Sequence, residues 1–210
     1  LRDVKERPRL EGFSDLRAVV GAGPADRVVL GGKGRGRYSG FAALLIDLGG
    51  NDHYTRAAVV DDPGALVSIV LDLAGNDTYE GGCAAATGGV ALLFDAKGKD
   101  KYRGGRFTQA AATFGVALLV DRSGNDSYQM EDYGQGHALG GTALLYDLGG
   151  DDTYEAWAFA QGGGLAGGFS ALVDAGGDDS YLADLHWPDV YGNSGPNIYH
   201  GASQGYCTGI

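Results

Sequence analysis

Six times along this chain a short apolar run (42–46, 67–71, 90–94, 116–120, 142–146 and 169–173) leads directly into an aspartate. Those aspartates, Asp47, Asp72, Asp95, Asp121, Asp147 and Asp174, stand 25, 23, 26, 26 and 27 residues apart. Two positions before each lies Leu or Val, and four before lies Ala or Ser. Alternate residues of a strand share a face, so this order predicts large and small side chains stacked in ladders along one axis. Glycine pairs and β-branched residues break any 3.6-residue pattern and argue against helices.

Each run is followed by the same turn, Asp-x-x-Gly-x-Asp-x-Tyr, then by a second extended segment such as 155–161 and a glycine-rich corner such as 162–168. The unit cannot bury its apolar face alone, and stacking copies solves that. The expected fold is all-β: a right-handed parallel β-helix, or solenoid, with about 25 residues per coil and six to seven coils. Left-handed β-helices are built from hexapeptides, which this chain lacks. Residues 31–38 carry a degenerate copy in which glycines replace both aspartates, so residues 1–29 read as an N-terminal cap. The solenoid would then occupy 30–210, interrupted by an inserted loop at 182–203. Gln204 begins a further coil that stops before its apolar run. The chain is therefore expected to continue its stack, through its own remaining chain or through another subunit on the C-terminal coil.

One part of the pattern departs from an ordinary surface sheet. The runs are apolar at both alternating positions, whereas a sheet facing water on one side alternates apolar with polar. The sequence thus predicts a cover for the outer face: a helix from residues 1–29, a second solenoid or a further part of the chain.

Charge sharpens the exclusions. The net charge is −11, with all 16 Lys and Arg in residues 1–122 and 12 acids without a base in 123–210. An acidic half of that kind repels nucleic acid and attracts cations. No run approaches the ~18 apolar residues that span a membrane, so no membrane insertion is expected. Residues 1–20 show no charged-then-apolar leader. Cys83 and Cys207 fall at similar places four coils apart, about 19 Å at one strand step per coil, too far for a disulfide. Both read as buried small residues, with Cys207 also able to pair with another molecule.

The turns carry the candidate chemistry. Gly75-Asn76-Asp77-Thr78-Tyr79 and Gly124-Asn125-Asp126-Ser127-Tyr128 resemble the Gly-x-Asp-x-large-residue core of the RTX calcium-binding repeats. The resemblance covers six octapeptides, and the period differs from the nine residues of that family. It implies that turn carbonyls together with Asp52, Asp77, Asp126, Asp152 and Asp179 hold Ca²⁺; the leading aspartates have no counterpart in the motif.

Physics adds the leading residues. Stacking would place two aspartate ladders about 4.8 Å apart per step, a spacing that requires a cation, raised pKa values or solvent-facing turn caps. The candidate ligands are Asp47, Asp52, Asp72, Asp77, Asp121, Asp126, Asp147, Asp152, Asp174 and Asp179. In the third copy Lys97, Lys99 and Lys101 are expected to supply positive charge in place of an ion. Turn formation by Asp and Gly alone explains part of the same pattern.

The turn tyrosines are expected to stack with their hydroxyls at the surface, where an aromatic ladder could meet sugar rings. Gln109, Gln135, Gln161 and Gln204 should form an amide ladder, and His53 and His137 read as local turn and ladder residues. The insertion offers His186, Asp189 and His200 as acid, base or metal ligands, and Trp187, Tyr191 and Tyr199 as a ligand platform. No spacing there is diagnostic of an enzyme.

The function expected from the sequence is a Ca²⁺-stabilised, secreted or cell-surface bacterial solenoid. It would serve as a structural or binding module within a larger chain or oligomer. The alternative is a polysaccharide lyase or glycoside hydrolase with its site at 182–203 and a glycan as partner.

Overall fold

The computed structural model describes residues 9–183 and the strand Cys207–Thr208. Among these residues there is no α-helix, and parallel strands stack coil upon coil into a β-solenoid. The first sheet has eight strands in chain order. Leu16–Val20 pairs antiparallel with Val28–Gly31, and from there every pairing is parallel, through Leu44–Asp47, Val67–Asp72, Val90–Asp95, Val116–Asp121, Thr142–Asp147 and Phe169–Asp174. Registers are strict. Asp95 lies beside Asp121 and Leu93 beside Leu119, and the next step repeats both pairs.

After each turn the chain enters a second sheet, where the tyrosines pair level by level through His53–Val60, Thr78–Thr87, Lys101–Arg103, Ser127–Gln129, Thr153–Ala156 and Ser180–Ala183. A third run of short strands, Ala111–Thr113, His137–Leu139, Gly164–Leu165 and Cys207–Thr208, closes the coil. The corner before this run is held by the glutamines. Gln109, Gln135 and Gln161 adopt positive φ, and their amides donate to the carbonyls of Tyr102, Tyr128 and Tyr154. The amide ladder also links neighbours, Gln135 Nε2 donating to Gln109 Oε1 at 3.2 Å.

The strand Val90–Asp95 shows how sequence becomes packing. Ala91, Leu93 and Asp95 are fully buried, while Val90, Leu92 and Phe94 lie on the outer face. The positions two and four before each aspartate are the inward ones, as their residue types predict. Residues 9–29 supply no helix to cover the outer face: they form the strand Leu16–Val20 and a 3₁₀ turn, Pro24–Asp26, at the first edge of the sheet.

Candidate metal centre

Counting by twos from the buried Leu and Ala places each leading aspartate inward, at the end of its strand. There its two oxygens have different partners. Oδ1 accepts the backbone N–H two residues on, as from Lys97 to Asp95 and from Ser123 to Asp121 at 3.1 Å each, which starts the turn. Oδ2 accepts from a tyrosine hydroxyl: Tyr102 to Asp121 and Tyr128 to Asp147, both at 2.6 Å. Tyr54 reaches two carboxylates, Asp47 at 2.9 Å and Asp72 at 2.6 Å. One phenol carries one hydrogen, so such a bridge leaves one of the two carboxylates short of a donor.

The tyrosines correct the sequence expectation. They do stack, with ring centroids 4.6–5.0 Å apart from Tyr38 to Tyr181. Tyr54, Tyr79, Tyr102, Tyr128 and Tyr154, however, are buried. The hydroxyls of Tyr54, Tyr79, Tyr102 and Tyr128 donate to aspartates rather than to solvent, and none of these five buried rings offers a face to a sugar.

In five of the six turns, Asp179 being the exception, the second aspartate is also buried and only half satisfied. Its Oδ1 accepts a backbone N–H from one coil earlier, that of Gly36 for Asp52 and that of the equivalent aspartate for the others. Asp77 N–H donates to Asp100 at 2.5 Å, Asp100 to Asp126 at 2.6 Å, and Asp126 to Asp152 at 2.6 Å. The Oδ2 atoms of Asp52, Asp77, Asp100, Asp126 and Asp152 have no hydrogen-bond partner, although these residues are at most 3% exposed. An orphaned buried carboxylate oxygen is costly. Five in one column make a structural feature.

Those five aspartates sit among leading carboxylates. Asp47, Asp52 and Asp72 bring one oxygen each to within 4.8 Å of one another, and so do Asp72/Asp77/Asp95, Asp95/Asp100/Asp121, Asp121/Asp126/Asp147 and Asp147/Asp152/Asp174. A hard cation with oxygens at about 2.3–2.6 Å fits at the centre of such a triangle. Each internal leading aspartate serves two successive triads. The glycine of the turn is required by the same crowding. A Cβ on Gly98 would lie 2.1 Å from the Gly75 carbonyl oxygen and 2.3 Å from Asp100 Oδ2. That carbonyl therefore lies near the orphaned oxygen.

Burial acts against charge at most of the internal aspartates. It raises the carboxyls of Asp77 and Asp126 to about 9, with the charges of Asp72 and Asp121 respectively adding to it. Asp95 rises to about 10, through burial and then the charges of Asp100 and Asp121. Asp52, Asp100 and Asp152 rise to about 7 and Asp121 to about 6, again chiefly through burial. Without a cation the column holds protons near neutral pH; with one, those protons must leave.

The third copy differs from its expected reading. Lys97, Lys99 and Lys101 are exposed, and Asp95 and Asp100 build the same triad as their neighbours. The lysines stand on the outside of the turn and do not replace an ion, so Asp95 and Asp100 join the candidate ligands. On the outside of the turns Asn76 N–H donates to Asn51 Oδ1 at 3.0 Å, and the backbone at Lys99 continues that ladder, its N–H donating to Asn76 Oδ1 at 2.9 Å. Asp179 accepts from Asp152 N–H at 2.9 Å but belongs to none of the five triads.

The histidines stay local. His137 is buried beside Tyr133 with Nδ1 unpartnered, and burial lowers its pKa to about 4. His53 lies 3.4 Å from Glu80. Buried Cys83, its thiol raised to about 12 by burial, is no nucleophile. His186, Trp187, Asp189, Tyr191, Tyr199, His200 and Gln204 lie outside the described residues. Compared with known proteins, the chain matches no family model, no curated protein and no solved structure, so its chemistry is argued from this column.

Proposed function

We propose that the aspartate column binds a line of hard divalent cations, Ca²⁺ foremost, and that the ion-filled solenoid serves as a structural or binding module outside the cell. The observation that carries this reading is the row of five buried, partnerless Oδ2 atoms, each on an aspartate of a different carboxylate triad. Charge supports a divalent ion. The triads draw on eleven aspartates, and five divalent ions bring ten positive charges to them. An all-oxygen, buried cage suits Ca²⁺ better than Mg²⁺, which keeps its waters and demands octahedral geometry. Extracellular calcium, near millimolar, fills even weak sites of this kind. As a module the chain would join further coils, from its own chain or another subunit, at the Phe169–Asp174 edge. No observation among the described residues favours the glycan-cleaving alternative.

Thermal melting tests the reading. Ca²⁺ in excess is expected to raise Tm by more than about 5 °C over chelator at pH 8, since even one site at 100 times its Kd contributes about 2.7 kcal/mol. Asp77→Asn should reverse sign with conditions. In chelator it removes a buried carboxylate and leaves Tm level or higher; in Ca²⁺ it damages a site and lowers Tm. A Tm indifferent to chelation would remove the metal and leave turn formation with protonated carboxyls as the role of the column.

A further inference from the structure

The outer face of the first sheet is a second place where composition and environment disagree. At its outward positions the six strands from Leu44–Asp47 to Phe169–Asp174 carry no charged residue; apart from Thr142 every one is apolar or aromatic. The columns are regular: Val90 beside Val116, Leu92 beside Leu118 and Leu144, Phe94 beside Val120 and Tyr146. Val90 is 40%, Val116 42% and Phe169 64% exposed. Leu66 and Phe114 extend the apolar surface on one margin, and Leu73 and Leu148 on the other; all four are exposed. Six strands of up to six residues span roughly 29 by 20 Å at ordinary strand spacings, close to 600 Å² before side-chain relief is counted. Monomers seldom expose an apolar patch of that size without using it.

We propose that this face pairs with the same face of a second copy, the two-fold axis running along the strands, so that the solenoids lie face to face with their long axes opposed. Three observations select that occupant. Two such faces bury about 1,200 Å², the lower bound for a specific interface. The face repeats once per strand, and a second copy repeats with the same step, so side-chain columns interdigitate over the whole height, as when sheets pack about 10 Å apart. A helix about 10 Å wide would cover only two strands. Charge then fixes the orientation. Lys33 and Arg35 are exposed on the turn side at the first end, and Asp151 and Asp178 on the same side at the last. Opposed axes set each basic end against the partner's acidic end; the alternative axis, along the solenoid, carries the two turn sides to opposite margins and leaves these charges unpaired.

Sedimentation and light scattering of the full chain are expected to give twice 21.6 kDa. Leu92→Lys with Leu118→Lys should give a monomer at the same concentration, with unchanged circular dichroism and an unchanged response to Ca²⁺, which separates this inference from the metal reading. Orientation is read by cross-linking under oxidation, with wild type as the control for Cys83 and Cys207. Ile46→Cys mixed with Val173→Cys should form a mixed disulfide, and neither variant alone should. A dimer that survives the two lysines overturns the proposal, and homodisulfides of either single variant overturn the orientation. A wild-type monomer overturns it too, whether a Leu118→Cys thiol reacts freely (a bare face) or is blocked (a face covered by the same chain).

Discussion

Within the single strand Val90–Asp95 the aspartate is fully buried while Val90, at the other end, is 40% exposed; the same inversion recurs in Val67–Asp72 and Val116–Asp121. In most domains polarity sorts residues between inside and outside. Here the parallel ladder sorts them, because strict register fixes which alternate positions turn inward whatever they carry. Each misplaced group then needs repair. Inside, a proton or a cation would neutralise the carboxylates; outside, the proposed second copy would take the apolar columns out of water.

The strongest way to break the inner half of this contrast is pH in the presence of chelator. The unfolded chain binds protons at aspartate near pH 3.9. Folded Asp121 does so near 6, Asp52, Asp100 and Asp152 near 7, Asp77 and Asp126 near 9 and Asp95 near 10. The folded state therefore holds more protons across this window. Its advantage is complete below about pH 4 and is lost as pH rises through the folded values. Tm in chelator is expected to fall by more than about 10 °C from pH 5 to pH 9, and Ca²⁺ should restore most of it at the alkaline end. A metal-free Tm that climbs over this range would show that the carboxylates are solvated.

Adjacent leucines sharpen the comparison with a smaller effect. Leu93 is fully buried in the core, and Leu92 next to it lies on the outer face. Leu93→Ala should cost about 2–5 kcal/mol, or about 5–15 °C. Leu92→Ala should cost the monomer under about 1 kcal/mol, because it opens no cavity. Equal losses measured at monomeric dilution would mean that the two faces are not different environments.

Much of this was legible in the chain. The 23–27-residue period gave the solenoid, and counting by twos from Asp95 gave Leu93 and Ala91 as core. The crowding of the aspartates could be argued from strand spacing alone. What failed was everything that depended on direction after the turn. Parity cannot be carried across Gly98 or Gly124, since the turn resets which way a side chain points. The tyrosine hydroxyls therefore turned inward against expectation. Lys97, Lys99 and Lys101, the most conspicuous departure in the repeat, proved to occupy the exposed side of a turn whose buried side is unchanged. A closer signal was available: Asp95, Asp100 and Tyr102 are all retained in that copy, and only the positions between them vary.

The smallest effect isolates what the tyrosines add beyond stacking. Tyr102 stacks between Tyr79 at 4.8 Å and Tyr128 at 4.6 Å, and its hydroxyl gives Asp121 Oδ2 a 2.6 Å hydrogen bond. Tyr102→Phe keeps the ring and its neighbours but leaves that oxygen without a donor. If the ladder were held by stacking alone, the variant would melt with wild type. A buried acceptor that loses its donor costs about 1–3 kcal/mol, so a drop of about 2–10 °C is expected in chelator at pH 8. Excess Ca²⁺ should shrink the drop, because an ion in either triad that includes Asp121 would replace the missing positive pole. A drop that is the same with and without Ca²⁺ would place the ion away from Asp121, and would confine the hydroxyl to a structural role.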